Sequence, residues 1–118
     1  MRETDFIVVK ENMLSMLKYS KSEFNKYKST RNIIYLQQSG EKLFNALENY
    51  IQFINKIESF SFAGIKSIIK ERSLRILLYD ARNLHRFFYK GENEMNIEDA
   101  EILYMNVKER LESRIRNL

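Results

Sequence analysis

The segment Arg72 to Lys90 constrains this chain more than any other, because its apolar residues and its arginines separate onto opposite sides of one helix. At roughly 100° per residue, Leu74, Leu77, Leu78, Ala81, Leu84 and Phe88 share one side. Arg72, Arg75, Tyr79, Arg82, Arg86 and Lys90 fall in a narrow stripe roughly opposite. A helix from about Ser73 to Tyr89 is expected, with Gly91 as its left-handed stop.

The rest of the chain reads in the same period. Phe6, Val9, Met13, Leu17 and Phe24, with Met16 and Tyr27 beside them, mark a first helix, and the β-branched run Ile7-Val8-Val9 does not interrupt it. Lys28-Ser29-Thr30 makes a polar break in which Ser29 or Thr30 is expected to cap the next helix. That helix reads Ile33, Gln37, Gly40, Phe44, Leu47, Ile51, Ile54, like a coiled-coil seam, with Ile34, Leu36, Leu43 and Tyr50 widening it. A glycine inside it costs about 1 kcal/mol relative to alanine, so close approach of a neighbouring backbone at Gly40 is expected, with a kink as the alternative. The pattern lapses from Ser59 to Gly64, and a short helical turn is expected from Ile65 to Lys70. Asn96, with Asp99 three residues on, caps a last helix whose stripe is Ala100, Leu103, Val107, Leu111, Ile115 and Leu118.

These elements define an all-α, single-domain chain over residues 1–118. The expected fold is an up-and-down antiparallel bundle of four long helices plus a short one. With 118 residues, no proline and three glycines, nothing divides the chain in two. A core of this size needs neither disulfide nor metal. The absence of cysteine excludes thiol catalysis and Cys-containing zinc sites. The charged start Met1 to Asp5 precedes an apolar run too short for a signal-peptide core, and no run approaches a membrane span, so a cytoplasmic protein is expected.

Charge placement carries the functional information. From Ala63 to Lys90 there are seven basic and two acidic residues, an excess of five, whereas the whole chain carries +4. The stripe on the fourth helix, about 25 Å long, therefore holds the surplus positive charge at a spacing that suits phosphates along a nucleic-acid strand. Arginine grips a phosphate through two parallel hydrogen bonds. Two plainer readings compete: acidic residues of the last helix or of a partner subunit, such as Glu98, Glu101 or Glu109, pair with the stripe, or it is a solvated face. His85, the sole histidine, sits at the border of the two faces, where Arg82 and Arg86 should disfavour its protonation and leave a neutral base. Its plainer reading is a packing histidine bonded to a carbonyl or a tyrosine.

Other chemistries have little support. A single histidine with no cysteine and no Glu-x-x-His pair argues against a metal site, and no cofactor is expected. Gly64-Ile65-Lys66-Ser67 lacks the upstream glycine and the Gly-Lys pair of a phosphate loop. Glu41 and Glu48 read as a solvated face rather than an acid–base pair.

Ser39-Gly40-Glu41-Lys42-Leu43-Phe44-Asn45-Ala46-Leu47 and Leu84-His85-Arg86-Phe87-Phe88-Tyr89-Lys90-Gly91-Glu92 together resemble the HEPN superfamily, especially small archaeal helical proteins of the PaREP group. The resemblance spans Tyr35 to Leu118. It implies a helical bundle, often a homodimer, that is either a metal-independent ribonuclease or an inactive binding module beside a partner, as in toxin–antitoxin pairs. The family's Arg-polar-x-x-x-His pattern maps onto Arg82, Asn83 and His85, but only Leu84 stands where the pattern has three residues. The resemblance therefore implies a fold and an RNA-binding or partner-binding role more than it implies catalysis. Phe53, Phe60, Phe62 and Phe87 fall outside the main stripes and are the expected dimer contacts, Phe60 and Phe62 foremost.

Overall fold

The computed structural model describes residues 3–57, 61–90 and 96–118. It contains α1 (Glu3–Thr30), α2 (Ile33–Asn55), α3 (Phe62–Ile68), α4 (Arg72–Lys90) and α5 (Ile97–Arg116), and no strand occurs among the described residues. Four helices are long and α3 is a short connector. Among the described residues no helix is long and apolar enough to cross a membrane. Gly91, expected to stop α4, lies outside the described residues.

Helix ends follow from local hydrogen bonding. The first helix runs through the expected break, because Ser29 and Thr30 donate their hydroxyls back to the Lys26 carbonyl, at 3.1 and 2.8 Å; Thr30 Oγ1 also accepts from Asn32 N at 3.2 Å, one residue short of the next helix. Arg31 then adopts a left-handed conformation with φ 56° and donates its N–H to the Tyr27 carbonyl at 2.7 Å. The cap of α2 is Asn32, whose side chain accepts from Ile34 N at 3.1 Å. Only glycine takes the left-handed region without cost. Arg31 is held there by its guanidinium, which lies 5.4 Å from the Tyr27 ring centre and 3.3 Å from Glu101. Asn96 caps α5 as its spacing predicts, accepting from Asp99 N at 2.8 Å. Ser61 caps α3 by accepting from Gly64 N at 3.1 Å, which starts that helix three residues earlier than the apolar pattern alone indicates.

The apolar side of α4 is the core's clearest wall: Leu74, Leu77, Leu78, Ala81, Leu84 and Phe88 are all buried. On α1, Met13, Leu17, Phe24 and Tyr27 are buried, and Ser20 joins them. The buried face of α2 is broader than the seam and leaves out its two ends. Gly40, Leu47 and Ile51 of the seam are buried together with Leu36, Leu43 and Tyr50, which widen it, and Ser39 and Ala46 join them, whereas Ile33 and Ile54, at the two ends of the helix, are exposed. The cause is that α2 has neighbours on both flanks. It meets α1 through Ser39, Asn49 and Phe53, and α4 through Glu41 and Phe44, so the surface between these flanks is what closes. Gly40 does mark a close approach, but of a side chain: a Cβ there would collide with the Phe88 ring, not with a backbone.

Tyr104, absent from the predicted α5 stripe, is completely buried and ties three helices together. Its ring stacks on Phe24 with centroids 4.2 Å apart. Its hydroxyl lies 2.6 Å from Ser20 Oγ, which donates to the Ser39 carbonyl at 2.7 Å. Since the Ser20 proton is committed to Ser39, Tyr104 is the donor in the first of these bonds.

Candidate nucleic-acid interface

With its apolar side sealed against α2 and α5, α4 turns its basic stripe outward. Arg72 and Arg86 are exposed, and Arg75, Tyr79 and Arg82 are half-buried. The Lys90 side chain lies outside what is described. Neither Glu71 nor Asp80 is ion-paired with the stripe. Arg114 of α5 takes the carboxylate of Glu71, just before α4, with contacts of 2.7 and 3.3 Å. Arg110 of α5 takes Asp80 at 2.9 Å. Hydrogen bonds from Arg114 and then Ser73 hold the Glu71 carboxyl below its usual range.

The stripe divides into two sets. Tyr79 and Arg82, together with the adjacent Asn83, already have interactions within the chain. Among the described residues no carboxylate is ion-paired with Arg72, Arg75 or Arg86. Of the acidic residues considered as internal partners, Glu101 pairs with Arg31 instead, and neither Glu98 nor Glu109 forms an ion pair among the described residues.

His85 does sit at the border, half-buried against α2. Its ring centre is 5.1 Å from that of Phe44 and 4.9 Å from that of Tyr89. The Tyr89 hydroxyl donates to Glu41 Oε2 at 2.7 Å. Protonation of His85 is disfavoured, but burial is the cause and not the neighbouring arginines, and the nearby Glu41 carboxylate opposes it. Glu41 and Glu48 also differ from a plain solvated face: Glu41 holds Tyr89, and Glu48 is half-buried with its carboxyl pushed up by burial.

Arg82 and His85 lie one turn apart on the same flank of α4. Asn83 does not join them: two residues from His85, it projects roughly 200° away around the helix and is exposed. Among the described residues no group of three or more His, Asp or Glu side chains comes together where a metal ion would need them. Of the expected dimer contacts, Phe53 packs on Phe6 with ring centres 5.7 Å apart, and Phe87 meets Phe88 edge-on at 6.1 Å, so both find partners inside the chain. Phe60 and the Phe62 side chain are outside the described set.

A second feature carries no sequence motif. A depression of about 920 Å³ lies between α1 and α5, with Lys18, Lys21, Ser22, Asn25 and Lys26 on one wall and Lys108 on the other. Its cations come from segments 80 residues apart, and in sequence each looks like an ordinary solvated lysine. No family model, curated protein or solved structure matches this chain.

Proposed function

We propose that this chain is an HEPN-like, non-catalytic module that binds single-stranded RNA through the outer stripe of α4, without a metal or cofactor, as a cytoplasmic homodimer. The observation that carries the reading is the diversion of Glu71 and Asp80 to Arg114 and Arg110, which leaves Arg72, Arg75 and Arg86 turned outward with no ion-paired carboxylate among the described residues. An up-and-down antiparallel order is supported by the contact registers. Met16 meets Asn49 while Ser20 meets Ser39, and Glu41 meets Tyr89 while Phe44 meets His85. Glu71 meets Arg114 while Asp80 meets Arg110. The divergence of Asn83 from His85 supports binding over ribonuclease chemistry.

The test is RNA affinity as a function of salt, read by fluorescence anisotropy with a labelled single-stranded oligonucleotide. Each phosphate neutralised releases counterions and contributes about −0.7 to the slope of log K against log salt, so replacing Arg72, Arg75 and Arg86 together by alanine should make the slope shallower by about 2. Salt-independent binding, no binding, or an unchanged slope in the triple variant overturns the reading.

The engagement of Tyr79 and Arg82 within the chain favours a second reading, a structural or regulatory module that holds a partner protein, as in a toxin–antitoxin-like pair. It expects Arg82→Ala to lower thermal stability or oligomer size and to leave RNA affinity unchanged or absent.

A further inference from the structure

The depression between α1 and α5 gathers five cations, Lys18, Lys21, Lys26, Lys108 and Arg116, against two carboxylates, Glu11 and Glu112. Lys18, Lys21, Ser22 and Asn25 reach it from successive turns of α1, and Lys108 reaches it from α5. Of the two carboxylates, Glu11 stands seven residues before Lys18, about 10 Å along the α1 axis. Glu112 serves both Lys108, at 3.3 Å, and Arg116, at 3.6 Å. Lys26 is drawn aside to Glu23 at 3.2 Å.

Lys21 is the informative group. It is half-buried, and its ammonium rests 3.1 Å from the Met105 sulfur and 5.6 Å from the centre of the Phe24 ring. A thioether and a ring face are weak partners for a group with three strong donors. Burial, then repulsion from Lys28 and Lys108, pulls its pKa below the ordinary lysine value, and Glu109 offsets this in part. Lys108 is similarly withdrawn, with only 14% of its side chain exposed. Cations that are desolvated and mutually repelling gain most from an entering anion, and serine and asparagine alongside them add neutral donors.

We propose that the groove between α1 and α5 binds a compact polyphosphate, such as the phosphate chain of a nucleoside triphosphate, with Lys18, Lys21 and Lys108 as its cations and Ser22 and Asn25 as neutral donors. Lys18 and Lys21 are separated by about 4.5 Å along the helix axis, so they address adjoining phosphates rather than one. The volume falls in the range of sites for nucleotide-sized ligands. The groove is built from α1 and α5, so it stands or falls separately from the α4 stripe.

The test is isothermal titration of the full chain with sodium tripolyphosphate and with ATP, both without magnesium, at fixed ionic strength. Saturable binding is expected, weakened about tenfold or more by Lys21→Met, which keeps the apolar stem on Phe24, and also weakened by Lys108→Ala. Arg86→Ala should leave it unchanged. As a second readout, the NMR-monitored pKa of Lys21 should rise on addition of tripolyphosphate. Equal affinity for the two ligands assigns the site to the phosphate chain alone, and tighter ATP binding extends it to a nucleotide; either supports the proposal. It is overturned if neither ligand binds at millimolar concentration, if Lys21→Met binds as the parent does, or if Arg86→Ala weakens binding instead.

Discussion

The Phe88 ring of α4 fills the space that a side chain at Gly40 of α2 would occupy. Gly40→Ala should therefore destabilise the fold even though alanine gains about 1 kcal/mol of helix propensity, because displacing a fully packed ring costs about 1–3 kcal/mol. Urea unfolding should show a lower midpoint for Gly40→Ala. Adding Phe88→Leu to that variant should cost less than it costs the parent chain. Additive effects would mean that the two positions are not in contact.

The bonds joining Tyr104, Ser20 and Ser39 predict an unequal response to losing either hydroxyl. Ser20→Ala strands the buried Tyr104 donor and removes the bond to the Ser39 carbonyl, at a cost of about 1–3 kcal/mol. Tyr104→Phe removes the donor itself and leaves the bond from Ser20 to Ser39 intact, so about 1 kcal/mol is expected. Denaturant midpoints that rank the two variants in the reverse order would contradict the assigned bond directions.

How far the sequence could be read depended on what each helix touches. In α4, core and solvent occupy opposite sides, so periodicity alone located its six buried apolar residues and its outward stripe. In α2, neighbours on two flanks bury the small positions Ser39 and Ala46, which an apolar pattern does not mark, and leave Ile33 and Ile54 at the ends of the seam exposed. Tyr104 escaped because a buried hydroxyl needs partners from two other helices, and pairings such as Tyr104 with Ser20 leave no periodic trace. The basic groove escaped for the same reason. The fate of Glu71 and Asp80, which decides how much charge the α4 stripe presents, depended on arginines some 30 to 43 residues away.

His85 gives the chain an acid-sensitive element between α2 and α4. Burial lowers its pKa below the ordinary 6.5, so between those two values the unfolded chain binds more protons than the folded one. Its contribution is fully present above about pH 6.5 and is lost as pH falls through the folded-state value. Unfolding followed from pH 7.5 to 5 should show stability declining with acidification, and His85→Phe should flatten that decline. Glu48, raised by burial, has the opposite proton balance, the folded chain binding more protons than the unfolded one, and so the opposite trend: stability falls as pH climbs from about 4.5 through its folded-state value. Glu48→Gln should therefore stabilise the neutral protein. An unchanged pH profile in His85→Phe would place the sensitivity elsewhere.

Glu23 is a charge in an unfavourable place. Its side chain is 4% exposed; one oxygen meets Lys26 at 3.2 Å, and Oε2 has no hydrogen-bond partner among the described residues. A buried polar atom without a partner costs about 1–3 kcal/mol, and replacing a buried ion by an apolar residue of similar volume is often neutral or stabilising. Glu23→Met should thus raise the urea midpoint. Glu23→Gln, which removes the charge but keeps an unpaired polar atom, should fall between Glu23→Met and the parent. Lys26→Ala should destabilise the parent chain by leaving the carboxylate alone. The same change in the Glu23→Met background should have little effect, because Lys26 is largely in water and its role here is to neutralise Glu23. If Glu23→Met lowers the midpoint as much as Lys26→Ala does, the carboxylate is held by something other than Lys26, and its burial is an asset rather than a cost.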